Sequence, residues 1–192
     1  MTSPTKLAHV VLFTSRLAEM RDWYLNVLDA RVVHQNPAAV FMTYDEEHHR
    51  IALADRDAVA RASGGLDQLI APSGDGVSRS DAAPQNRGLS HIAFTYDSLA
   101  ALLENFERLE KQRVTPVFSV NHGTTTSLYY ADPDGNNIEL QVDNFATIEE
   151  GTAYMESDAF EKNPVGVPVD PQSLLARLRT GEPAATLIRP WW

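Results

Sequence analysis

The chain has no cysteine among its 192 residues, which excludes disulfides, thiolate metal sites and cysteine nucleophiles together. Histidines and carboxylates remain as the metal-capable side chains. No stretch approaches the roughly 20 apolar residues that a spanning helix requires. The start, MTSPTKLAHVVLFTS, has no basic segment leading into a long apolar one. We read the protein as soluble, not exported and cytoplasmic, with no membrane partner. Positive charge is also scarce: 16 Lys and Arg stand against 26 Asp and Glu, a formal net charge of −10. No basic run breaks that excess, so phosphate backbones and anionic lipid are repelled, and nucleic acid is a poor partner. A small organic substrate is the remaining default.

Apolar residues make up 43% of the chain and charged residues 22%, the balance of an ordinary globular protein with a core that needs no staples. The length suits one good core, or two small modules sharing one, but not two full-size domains.

An internal repeat organises what is there. From Leu7 and from Leu89 the sequence matches itself at a constant offset without a gap: Leu7 with Leu89, His9 with His91, Val10 with Ile92, Leu12 with Phe94, Leu17 with Leu99, Met20 with Leu102, Tyr24 with Phe106, Val27 with Leu109 and Val32 with Val114. Each copy opens on an alternating run, LAHVVLFT or LSHIAFTY, which predicts a strand. A helix follows in each, on Leu17, Met20, Tyr24, Val27 and Leu28 in the first copy and on Leu99, Leu102, Leu103, Phe106 and Leu109 in the second. Ser15 is the expected N-cap of the first helix, and Asp97 or Ser98 of the second. Three short β-like runs complete each copy: ARVVHQ, AVFMTYD and HHRIALA, then RVTPVFSV, TSLYYAD and NNIELQV. The pattern is βαβββ twice, an α+β protein. Asp132, Pro133, Asp134, Gly135 and Asn136 form the tight turn before the last strand.

The modules span about 6–54 and 88–143 and make a single domain over 1–143. A Gly-, Ser- and Pro-rich linker at 55–87 joins them. Residues 144–192 form a C-terminal extension with short helices around Glu149–Met155 and Pro171–Leu178, an appended cap. Phe160, Leu174 and Leu175 there could serve as a lid or a subunit contact, and Trp191 and Trp192 could anchor an interface.

Duplicated βαβββ modules with a His on each first strand resemble the vicinal oxygen chelate superfamily, over roughly residues 6 to 143. The resemblance implies a cup-shaped mixed sheet around one metal, held by His9, His91 and Glu139. Two histidines and a carboxylate with open positions are associated with non-haem Fe(II) oxygenases. A lone His on an apolar strand is ordinarily a core or edge residue, but two at matching positions are difficult to ascribe to packing. Glu139 shares a face with Asn137 and Gln141, so alternation alone would assign it to solvent. Its counterpart in the first copy falls near Ala52, which binds no metal, so there is one site with three protein ligands. An incomplete shell suits a catalytic rather than a structural ion.

The segment His48, His49, Arg50, Ile51, Ala52 is similar to a strand of type I extradiol dioxygenases, and the resemblance makes His49 an acid/base. Asn121 to Leu140, NHGTTTSLYYADPDGNNIEL, looks like the closing signature of that group. By this likeness Tyr129 hydrogen-bonds the substrate and His122 contacts its hydroxyl. The implied function is Fe(II)-dependent cleavage of a catechol-type ring, dihydroxybiphenyl- or catechol-like, with a small aromatic diol and O2 as partners and with assembly into a homo-oligomer. Two rivals share the cup: a glyoxalase-like metal-dependent isomerase or lyase, and a metal-free small-molecule-binding resistance protein. The isomerase or lyase does not require His49, His122 or Tyr129, and the metal-free reading makes the triad of His9, His91 and Glu139 an accident.

Overall fold

Both repeats fold as the alternation predicts, each into its own mixed sheet with a helix on one face. A computed structural model describes residues 4–55, 57–58 and 89–190; most of the linker and the terminal Trp191 and Trp192 lie outside them. Contacts divide the chain into two compact units, Met1–Gly88 and Leu89–Trp192.

In the first unit β1 (Val10–Phe13), α1 (Leu17–Val27), β2 (Arg31–Gln35), β3 (Ala39–Thr43) and β4 (Ile51–Ala54) form a four-stranded sheet of order β1-β4-β3-β2. β1 runs parallel to β4, and the other pairs are antiparallel. Met20, Tyr24 and Val27 recur at helical spacing and are completely buried on the α1 face that packs on β3 and β4. Burial of each such side chain is worth about 1.5–3 kcal/mol relative to exposure. Ser15 is not the N-cap. Arg16 holds that position without a side-chain cap, and the Thr14 hydroxyl accepts from the Arg16 N–H at 2.9 Å.

The second unit repeats the plan with β5 (His91–Thr95), α2 (Leu99–Lys111), β6 (Phe118–Asn121), β7 (Thr125–Ala131) and β8 (Asn137–Asp143). Ser98 caps α2, its hydroxyl accepting from the Ala101 N–H at 3.1 Å. The ungapped correspondence ends with the helices, because α2 has 13 residues and α1 has 11. Val32 lies in β2, whereas Val114 precedes β6. The turn after β7 is fixed by Asp132: Oδ1 accepts from the N–H groups of Asp134 and Asn136, and Oδ2 from the Asn136 side chain. Gly135 takes φ +84° there. This turn sets the β7–β8 register that places Tyr129 opposite Glu139.

The extension belongs to this second unit and has more structure than its composition signals. It contains α3 (Ile148–Met155), α4 (Asp158–Lys162), β9 (Val167–Pro168), α5 (Pro171–Arg179) and α6 (Ala184–Ile188). β9 pairs antiparallel with β6, extending the sheet to the order β5-β8-β7-β6-β9. Leu174 and Leu175 are neither lid nor subunit contact: both are buried within the chain, on the helix that packs against α2.

Arg179 also ties α5 to α2 by two bonds from its guanidinium to the Glu107 carboxylate, at 2.9 and 3.1 Å. The Arg179 hydrogen bonds, then those from Lys111, hold the Glu107 carboxyl down to about 2. A carboxyl depressed on folding contributes stability above its unfolded value, and that contribution disappears as pH falls through the folded one. Hence wild type and Glu107→Gln should differ in thermal midpoint at pH 6 and converge as pH drops from about 4.5 towards 2. Because the pair is exposed, about 0.5 M salt should shrink the difference.

Candidate functional site

One face of the second sheet collects four of the residues singled out from sequence. Alternation and register place His91 on β5, Glu139 on β8 and Tyr129 on β7, with His122 just past the end of β6. Ala93 stands opposite Glu139, and Glu139 opposite Tyr129. The Glu139 carboxylate is 4% exposed, so it is a buried anion rather than the solvated side chain that alternation suggests. Its Oε2 lies 3.0 Å from His91 Nε2, and the His91 side chain is more than a third exposed.

Tyr129 links this pair to His122. Its hydroxyl is 3.0 Å from His122 Nε2 and also within hydrogen-bond reach of Glu139, so its single proton serves one of these acceptors at a time. Burial, then the Glu139 charge, push the phenol well above its ordinary value, so it stays protonated across the working pH range. The ring is stacked on Phe118, with centroids 4.1 Å apart and planes at 12°, and stands edge-on to His91 at 5.5 Å. His122, Tyr129, Glu139 and His91 thus form one continuous polar chain. His122 Nδ1 is bonded to the Val165 carbonyl at 2.7 Å.

The other two residues lie in the first unit. His9 immediately precedes β1 and is exposed. His49 is in the turn before β4, because the strand foreseen from His48 begins only at Ile51. The His9 and His49 rings lie 4.3 Å apart, Phe41 is edge-on to His49 at 5.3 Å, and the Nδ1 atoms of His48 and His49 are 2.6 Å apart. Burial, then the neighbouring His9 and His48, hold His49 below the usual imidazole value despite the opposing Glu47. His49 is therefore neutral near pH 7 and able to accept a proton.

Arg50 fixes this turn. Its Nη1 donates to the carbonyls of Leu7 and Ala8, at 2.7 and 3.0 Å, and its Nε donates to Asp45 at 2.9 Å. The backbone on either side of the His9–His49 pair is joined in this way.

Among the described residues no three or more His, Asp or Glu side chains are gathered into one metal-holding group. The donors come as His91 with Glu139 in one unit and His9 in the other. The two sheets are nevertheless equivalent at the key position: Val11 faces Ala52 as Ala93 faces Glu139, and Phe41 faces Ala52 as Tyr129 faces Glu139. Ala52 is thus the true counterpart of Glu139. Sequence reasoning missed Phe118, whose position opposite Tyr129 could have been found only with the correct β6–β7 register. It also missed Val165, which acts through a main-chain atom and has no residue-type signal.

Residues 6–140 match the family model described as the Glyoxalase/Bleomycin resistance protein/Dioxygenase superfamily. Two relatives from Rhodococcus globerulus, biphenyl-2,3-diol 1,2-dioxygenase 2 and biphenyl-2,3-diol 1,2-dioxygenase 3, are 43% and 41% identical over 192 residues. Both alignments cover 100% of this chain, and they cover 91% and 92% of the relatives. Among solved structures, a lactoylglutathione lyase from Agrobacterium tumefaciens superposes with a TM-score of 0.53 at 20% identity, covering 73% of this chain and 96% of the other. A glyoxalase/bleomycin resistance protein/dioxygenase from Nocardioides gives 0.52 at 16%, covering 74% and 86%. At such identities the superpositions speak for the fold alone.

Proposed function

Because the chain belongs to the Glyoxalase/Bleomycin resistance protein/Dioxygenase superfamily and is an extradiol dioxygenase within it, we propose that it uses Fe(II) and O2 to open the ring of a catechol-type substrate. The biphenyl-2,3-diol named for both relatives makes an aryl-substituted catechol the first candidate. The observation that carries this reading is the polar chain His122–Tyr129–Glu139–His91 on one sheet face.

His91, Glu139 and His9 would hold the metal. The donor set fits: a buried carboxylate has a partly exposed imidazole as its ion-pair partner, and a divalent cation would balance the buried charge. Fe(II) bound there would supply the redox-active centre that lowers the spin barrier between O2 and the diol.

The chain's own residues then do positioning and proton transfer. The Tyr129 hydroxyl, kept protonated by burial, orients a substrate oxygen. His122 Nε2, directed at the same point, takes a hydrogen bond from the substrate hydroxyl. Neutral His49 accepts a proton from the reacting diol and returns it as the ring opens. Cleavage next to the two hydroxyls would leave a conjugated dienoic acid whose second carbonyl is an aldehyde, or a ketone where the cleaved carbon carries the aryl group. The isomerase rival generally takes a fourth protein ligand from the first module, at the place Ala52 occupies.

Anaerobically purified, iron-loaded protein should consume O2 and develop a yellow product with 2,3-dihydroxybiphenyl or another member of a catechol panel. Iron-replete protein that consumes no O2 with any of them would sink the proposal.

A further inference from the structure

The C-terminal extension meets the His122 loop at two points where only glycine leaves room. Gly166, at φ +92°, lies against the Asn121 carbonyl so closely that any Cβ would collide with backbone. Asn163 fixes that turn from both sides: its Oδ1 accepts from the Gly166 N–H at 3.0 Å, and its Nδ2 donates to the Gly166 carbonyl at 3.2 Å. On the other flank the Tyr154 ring fills the space that a side chain at Gly123 would take, where φ is +87°. Asn121, fully buried, closes the junction. Its Nδ2 donates to the Ile188 carbonyl at 2.8 Å, and its Oδ1 accepts from the Gly123 N–H and from Asn144 Nδ2, both at 2.8 Å.

What this junction presents to the ring is the Val165 carbonyl, 2.7 Å from His122 Nδ1. A carbonyl can only accept, so Nδ1 must carry a proton. In the neutral ring the lone pair then lies on Nε2, where it accepts the single proton of the Tyr129 hydroxyl 3.0 Å away in place of that hydroxyl's bond to Glu139.

We infer that Val165 is a positioning residue: its main-chain carbonyl holds His122 in the Nδ1–H tautomer, so that Nε2 faces the substrate as the proton-accepting atom. The extension is thereby a component of the site rather than a cover for it. Which ring nitrogen carries the proton is set by the partner of the other. Without Val165 the ring can take the opposite tautomer and present an N–H where the substrate hydroxyl needs an acceptor. The kinetic consequence rests on the dioxygenase reading above; the tautomer does not.

The test uses the full chain labelled with 15N-histidine, free of iron so that signals are not broadened. Two-bond 1H–15N correlation spectra distinguish the tautomers. Wild type should show His122 protonated at Nδ1. Gly166→Ala, which forces the turn away from Asn121, should move His122 towards the Nε2–H form. Once loaded, this variant should keep wild-type iron content while kcat on 2,3-dihydroxybiphenyl falls roughly 10- to 100-fold, with a smaller change in KM. Gly181→Ala is the matched control. It imposes a side chain at a similar φ of +91° with nothing within 4 Å of the added Cβ, and should leave tautomer and kcat unchanged. An Nε2–H ring in wild type overturns the inference, as does a Gly166→Ala variant with unaltered kcat. Iron-replete wild type that is inert to every catechol overturns instead the dioxygenase reading, and the tautomer spectrum then decides the role of Val165 by itself.

Discussion

Glu139→Ala is expected to lose iron and, with it, oxygen uptake on any catechol, while the chain remains folded. Glu139 supplies the only anionic donor of the proposed triad, and its carboxylate is 4% exposed. Losing a charged ligand should weaken metal binding by more than the roughly 10- to 100-fold typical of outer-shell changes. The sign of the stability change separates this reading from a structural ion pair. His91 is more than a third exposed, so it can turn to water when its partner is removed and leaves no orphaned buried charge. The buried carboxylate also no longer has to be desolvated. Metal-free Glu139→Gln, which keeps an acceptor for Tyr129, should therefore be as stable as wild type or more so, by on the order of 1 kcal/mol. A purely structural His91–Glu139 bond would instead cost about 1–3 kcal/mol when broken. Metal analysis and urea unfolding midpoints of the two variants read both quantities.

His49→Phe should leave iron content intact and reduce turnover by roughly 10²- to 10⁴-fold, the range for loss of a positioned acid/base group. Phenylalanine suits the position because His49 already packs as an aromatic ring on His9 at 4.3 Å and against Phe41 at 5.3 Å. The replacement preserves what surrounds His9 and removes only the proton-carrying nitrogens. The His49 ring is held below the ordinary imidazole value first by burial and then by His9 and His48, so the neutral, accepting form prevails at neutral pH. Oxygen uptake at saturating catechol, normalised to iron, measures the effect. Normal turnover would remove His49 from the mechanism.

The parts of the fold written in side-chain periodicity were legible in advance. The repeat identified the His9 and His91 pair and both helices, because duplicated βαβββ units bury the same faces. Asp132 and Gly135 announced their turn, since few other residues make those bonds at φ +84°. Ser98 could be recognised as a cap, but Ser15 lost that role to a local Thr14 bond that leaves no mark in the sequence. The burial of Glu139 contradicts its neighbours on the strand, because the flanking Ala93 and Tyr129 come from other strands whose register cannot be read off periodicity. The Val165 carbonyl was beyond reach for a plainer reason: every residue has one. Leu174 and Leu175 could be recognised as apolar, but not as facing α2.

The two-residue strand β9 has a consequence for how the folded chain behaves in a crowded solution. An exposed sheet edge is a template for pairing with other molecules and so for aggregation. β9 covers the β6 edge with the chain's own tail, through Val167 opposite Asn121 and Pro168 opposite Val120. Proline has no N–H to offer a further strand, and α5 begins soon after, at Pro171. The segment that brings an acceptor to His122 therefore also ends the sheet, acting as a built-in stop against edge-to-edge stacking.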